Sequence, residues 1–147
     1  EIQSFTQSYD SYDMDSSLLL MEQYGFIKAT DPRYISTVQR IKSELFHNGL
    51  MYRYKNSDDF GAPTSSFTIC TFWLVRALYV TGNREEAREM FNQLLSYSNH
   101  LGLFSEDLDF TTKRQLGNFP QAYSHLALIN TAALFSTDKQ TSRFIKP

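Results

Sequence analysis

Apolar residues recur at helical intervals between sharp stop signals, and this pattern commits most of the chain to α-helix. Asp31-Pro32 reads as an N-cap followed by proline at the first helical position. Ile35, Val38, Ile41 and Leu45 then lie on one stripe, which Asn48-Gly49 ends. Another run starts near Ser65 or Ser66 and passes through Phe72, Trp73, Val75 and Leu78 to Gly82. Asn83 caps the next, with Glu86 completing a capping-box-like pattern and Ala87, Met90, Phe91, Leu94 and Leu95 forming its apolar face. Upstream, Asp13 or Asp15 can cap a helix through Leu18-Leu-Leu-Met21 towards Gly25. The last helix is expected to begin at Phe119-Pro120 and run through Leu126, Ile129 and Ala133. Only Leu50-Met-Tyr-Arg-Tyr54 reads as extended. The expected class is all-α, built from antiparallel helical hairpins.

With 147 residues, 41% of them hydrophobic, the chain suits a single domain over 1–147 and is too short for a complete TIM barrel of about 250 residues. A chain of this length buries roughly 68–70% of the surface its unfolded form exposes, which argues against disorder. The formal charge is −2 and no basic run is present to neutralise phosphates, so nucleic acid is not expected as a partner. No apolar stretch approaches the ~20 residues of a membrane span. Cys70 is the only cysteine, which rules out an internal disulfide and favours a reducing compartment such as the cytoplasm. Its bland role is that of a small buried apolar residue. The chain opens at Glu1 rather than Met, as expected of a sequence that starts inside a longer reading frame.

Connection lengths are more informative. The Gly82-Asn83 turn is short, so the helices on either side form an antiparallel hairpin. By contrast, 48–64 and 101–118 read as long loops, which compact domains keep mainly for function. In an up-and-down array both fall at one end, together with 1–13. They carry Tyr9, Asp10, Tyr12, Arg53, Tyr54, Asp58, Asp59, Glu106 and Asp107. Aromatic rings, carboxylates and an arginine together can stack on a sugar ring and hydrogen-bond its hydroxyls.

Within these loops, Glu106 lies among three carboxylates behind two apolar residues, in Gly102-Leu-Phe-Ser-Glu-Asp-Leu-Asp109. A carboxylate against apolar walls can act as a general base; the commoner alternative is a solvated acidic loop. Arg53, between Tyr52 and Tyr54, can fork onto vicinal hydroxyls or serve in a surface ion pair. His125 lies four residues after Gln121 on one helix face, while His47 and His100 sit elsewhere. No His-Glu-x-x-His or Cys-x-x-Cys spacing occurs, so no metal site is expected.

The ordered set Phe5-Thr-Gln, Leu18-Leu-Leu, Asp31-Pro32-Arg33, Gly49-Leu-Met-Tyr-Arg-Tyr54, Cys70-Thr-Phe-Trp73, Gly117-Asn-Phe-Pro-Gln121 and Ser124-His125 resembles the C-terminal part of the catalytic domain in glycoside hydrolase family 15, the glucoamylases and related trehalases. The resemblance covers residues 5 to about 135. It implies part of an (α/α)6 toroid, with paired helices in two rings and the active site among the loops at one end. It also implies inverting hydrolysis of α-glucosides such as malto-oligosaccharides, starch or trehalose. In that chemistry an acid protonates the leaving oxygen and a carboxylate about 6.5–9.5 Å away activates water. By resemblance Glu106 matches the general base and Arg53 the glucose-binding arginine. Gln121 and His125 are further substrate-binding candidates. No cofactor is implied.

Two departures stand out. Where many bacterial relatives read Glu-Gly-Ala-Phe, this chain has Thr64-Ser-Ser-Phe67. The family's general acid lies in a Trp-Glu pair, yet the only tryptophan here is Trp73, followed by Leu74. The chain is therefore expected to be a fragment of a larger hydrolase, inactive alone. Its uncovered apolar faces would pair with the missing N-terminal part of the same protein, or with another copy as a homo-oligomer. Two alternatives from other classes are a catalytically inactive carbohydrate-binding relative and a helical-repeat protein-binding module. The latter is suggested by the tetratricopeptide-like turn from Leu78 to Ala87, although no 34-residue period recurs.

Overall fold

Asp31 and Pro32 start a helix as their chemistry dictates. In the computed structural model, which describes residues 3–59 and 61–137, α1 spans Pro32–Leu45 and the Asp31 side chain accepts a hydrogen bond from the Arg33 amide. Its buried face is Tyr34, Thr37, Val38, Ile41 and Leu45, so Tyr34 replaces the expected Ile35. Tyr34 tolerates full burial because its hydroxyl donates to the Leu19 carbonyl at 2.8 Å.

The helix ends before Asn48-Gly49, contrary to expectation. Phe46 is already extended, and Phe46–His47 (β1) pairs antiparallel with Leu50–Met51 (β2). Asn48 and Gly49 both take positive φ, 46° and 81°. Two such residues form the tight turn whose twist fits a β-hairpin, and glycine adopts that conformation without steric cost.

The expected helix after Asp15 is only a 3-10 segment, Ser16–Leu20. Asp15 does cap it, accepting from the Ser17 amide, but Ser16 is bound to Arg53 and Tyr52 carbonyls. A segment so short and so tied to a neighbouring loop gains little from α-helical propagation.

The longest apolar run forms α2, Thr68–Val80, buried at every position except Arg76 and Val80. A helix apolar on all sides belongs in the centre of a fold. It starts later than expected, because Ser66–Phe67 (β3) is spent in a three-stranded antiparallel sheet. There β3 pairs with Asp107–Leu108 (β4), which pairs in turn with Gln115–Leu116 (β5). The 101–118 segment is thus not structureless, but two-residue strands leave no readable period.

Arg84–Leu95 (α3) returns antiparallel along α2 and buries Ala87, Met90, Phe91 and Leu94, with Leu95 exposed. The expected capping box does not form. Asn83 makes no side-chain cap bond, and Glu86 instead pairs with Lys42 of α1. Ala122–Thr137 (α4) starts beyond the expected Phe119-Pro120 and packs against α2. Phe72 meets Phe91 and Phe104 edge-on, and Phe135 stacks on Phe91 at 5.0 Å. Ser124, Ala127, Thr131 and Phe135 of α4 face inward, while Tyr123, Leu126 and Ile129 remain exposed. Trp73 and Cys70 are core residues, and burial pushes the Cys70 thiol well above its ordinary range.

Candidate active site

The start of α2, β4 and the turn before α4 converge on Glu106. Its amide donates to the Asn118 carbonyl, and its carbonyl accepts from the Thr68 amide, each at 2.9 Å. The carboxylate is half-buried, and its Oε2 accepts from the Asn118 amide at 3.2 Å and from Asn118 Nδ2 at 2.9 Å. Gly117 makes this possible. At its φ of 72°, a Cβ would stand 2.9 Å from Glu106 Oε2 and 3.2 Å from Glu106 Cβ. A side chain at this position would have to push the carboxylate from where it rests.

Glu106 lines a cleft of about 420 Å³ together with Arg53, Tyr54, Asp58, Ser65 and Asp107. Arg53 reaches it from the segment after β2, anchored where its carbonyl accepts the Ser16 amide. Its Nε lies 3.5 Å from Asp15 Oδ1, but the guanidinium side chain is 42% exposed against 7% for Asp15. The arginine is therefore oriented by a buried carboxylate and still open to the cleft. Tyr54 donates its hydroxyl to Asp58, an interaction that raises the phenol above its ordinary range. Ser65 donates to Asp107. Burial raises the Asp107 carboxyl above the usual carboxylate range; the Ser65 bond offsets part of this and the charge of Glu106 adds to it.

The expectation that 48–64 and 101–118 meet is met in this cleft, whereas no residue of 3–13 lines it. Tyr9 and Asp10, however, line a separate groove with Phe5 and Phe26. Neither Gln121 nor His125 lines the cleft. Gln121 precedes α4 rather than occupying its first turn, and its Oε1 accepts from the Tyr123 amide at 3.5 Å. His125 has both ring nitrogens engaged: Nδ1 lies 2.7 Å from the Gln121 carbonyl, and Nε2 accepts from the Phe104 amide at 3.3 Å. With Gln121 N donating to the Phe104 carbonyl and Ser124 Oγ to the Ser105 carbonyl, these residues bolt α4 to the segment that carries Glu106 into β4.

The residues not singled out from sequence are Gly117, Asn118 and Ser65. The Gly117-Asn118 pair carried a visible signal, a turn glycine followed by a hydrogen-bonding amide, but its target, Glu106, twelve residues before Asn118, did not show. Among the described residues, no group of three His, Cys, Asp or Glu side chains is placed to hold a metal ion. No helix among them is long and apolar enough to cross a membrane.

Comparison with known proteins bears on the family and the fold. The family model for glycosyl hydrolases family 15 matches residues 1–133. A trehalase of Thermoplasma acidophilum is 42% identical over 130 residues, covering 88% of this chain and 22% of that protein. A trehalase of Mycolicibacterium smegmatis is 44% identical over 128 residues, covering 85% of this chain and 19% of that protein. The chain thus spans about a fifth of the length of the curated relatives it matches. A solved glycosidase shares the fold over 90% of this chain and 39% of its own, with a TM-score of 0.70 at 16% identity. The helical hairpins are accordingly part of an (α/α)6 toroid. With a match across nine-tenths of its length, the chain belongs to glycosyl hydrolases family 15.

Proposed function

We propose that the complete protein carrying these residues hydrolyses an α-glucosidic bond, with trehalose as the first substrate to test. The observation that carries this reading is the Glu106 carboxylate, fixed through Oε2 by Asn118 in the wall of a cleft shared with Arg53. Binding one oxygen to two N–H groups leaves Oε1 to take a proton from water. That water adds to the anomeric carbon as the glycosidic C–O bond breaks. Its proton passes to Glu106, and the leaving oxygen is protonated by an acid outside these 147 residues. Arg53 holds hydroxyls of the terminal glucose. Gln121 and His125 support the reaction from behind by holding the Phe104–Glu106 segment against the entrance of α4.

The trehalose assignment draws on the relatives that carry the name trehalase. The domain reading draws on their length and on the exposed row Tyr123, Leu126 and Ile129 of α4. We read residues 1–147 as the C-terminal part of a larger catalytic domain, whose remaining helices cover that row. Glucose release from trehalose, maltose and soluble starch by the complete protein tests the function. Release from trehalose is expected; release from none of the three overturns the reading, and release from maltose and starch alone reassigns the substrate.

The Gly117 geometry makes its own prediction. Gly117→Ala is expected to displace the Glu106 carboxylate and lower kcat roughly 10²-fold, the effect of an ~1 Å misplacement. The left-handed backbone should add about 1–2 kcal/mol of destabilisation. Steady-state kinetics and thermal melting of the complete variant read the two separately. An unchanged kcat would show that the close approach of Gly117 to Glu106 has no catalytic consequence.

A further inference from the structure

Beside Glu106, the cleft holds a second carboxylate that the hydrolytic step leaves unused. Asp107 opens β4, the central strand of its sheet, opposite Phe67 on one side and Leu116 on the other. Its carbonyl accepts a hydrogen bond from Ser105 Oγ. The residue is thus held in the cleft wall by pairing on both edges. The side chain is half-buried, and Ser65 Oγ donates to Oδ2. Among the described residues no hydrogen bond reaches Oδ1. Ser65 stands within the Thr64-Ser-Ser-Phe67 stretch, where no carboxylate is available to meet a ligand.

A carboxylate drawn partly out of water, with one oxygen open to the cleft, gains from a hydrogen-bond donor brought by a ligand. The other charged groups of the cleft are Glu106 beside it, Arg53, and Asp58 with Tyr54, while Asp15 lies behind Arg53. Arg53 is already drawn towards Asp15, so Asp107 is a free acceptor of charge-assisted strength in a cleft rich in acceptors. A neutral molecule dense in hydroxyl donors fits this chemistry.

We propose that Asp107, with one oxygen held by Ser65, is a substrate-binding carboxylate that accepts a hydrogen bond from a hydroxyl of the glucosyl unit seated against Glu106. The inference rests on the hydrolase reading and adds the residue that orients the sugar. It also has a stability signature. A carboxyl whose folded pKa lies above its unfolded value loses stability as pH rises through that window, so the ionised Asp107 is a net cost at neutral pH. Asparagine keeps an acceptor for Ser65 and removes the charge.

The experiment compares the complete wild-type protein with Asp107→Asn and Ser65→Ala, using the α-glucoside that the wild type hydrolyses and its monodeoxy analogues. Asp107→Asn is expected to raise KM about tenfold or more, the weight of a hydrogen bond to a charged group, with kcat within about twofold. Against the analogue lacking the bound hydroxyl it should add no further loss. Its melting temperature should rise at neutral pH and meet that of the wild type at acid pH, below the ordinary carboxylate range. Ser65→Ala should raise KM less, because Asp107 keeps its charge. An unchanged KM on every substrate overturns the inference, as does an equal loss on all analogues with a lowered melting temperature at neutral pH. A wild type that cleaves no α-glucoside overturns the hydrolase reading itself, a result distinct from either.

Discussion

Glu106→Gln is expected to lower kcat for α-glucoside hydrolysis by about 10²–10⁴-fold, the contribution of a positioned general base. Glutamine is nearly isosteric, and its carbonyl oxygen can still accept the two Asn118 N–H groups that now hold Oε2. The main-chain bonds of residue 106 to Asn118 and Thr68 do not involve the side chain, so the local fold should persist. Only the ability to take a proton from water is lost. KM should change little, because the base acts on the attacking water rather than on the sugar. The assay is steady-state glucose release by the complete protein, with circular dichroism as the check on folding. A variant with wild-type kcat would remove Glu106 from the mechanism and return the base to the other cleft carboxylates, Asp58 and Asp107.

Phe104→Ala should produce the largest loss of stability. The ring is fully buried, meets Phe72 edge-on at 5.6 Å and lies against the His125 ring at 6.2 Å. Its amide and carbonyl are both bonded to the α4 entrance, through His125 and Gln121. Removing the ring empties a cavity that the surrounding helices cannot fill without breaking those bonds. A cost of about 3–5 kcal/mol is expected. Chemical denaturation measures the total, and hydrogen exchange at the amides from Phe104 to Leu108 localises it. Leu101→Ala, at a position 69% exposed, serves as the control and should stay within about 0.5 kcal/mol. Equal effects at the two positions would mean that the segment carrying Glu106 is not supported from Phe104.

The two variants separate what the site does from what holds it. Both depend on contacts that differ in how far they are visible along the chain. Asp31-Pro32 and Gly82-Asn83 are legible because a cap or turn is decided by a few neighbouring dihedrals. The Phe72, Phe91 and Leu94 core is legible because helical spacing repeats. Asn48-Gly49 is legible only as a stop. Whether it ends a helix or turns a hairpin depends on Leu50 and Met51 being fully buried and on Thr71 of α2 accepting the Met51 amide at 3.1 Å. Glu86 likewise satisfies the capping pattern, yet a lysine from another helix captures it.

By itself, the sequence determined the helical class, the α2–α3 hairpin and the gathering of long polar-aromatic loops at one end. Period and connection length are local quantities, and a chain carries them before it folds. Tertiary structure alone decided which of those loop residues share a cleft. Tyr9 and Asp10 line another groove, while Arg53, Ser65, Glu106 and Asp107 converge. It also decided that Asn118 holds the Glu106 carboxylate and that His125 faces Phe104 rather than the cleft. These pairings depend on how loops close against α2 and on the space a missing Cβ leaves at Gly117. Distances of that kind arise only when the whole chain is packed.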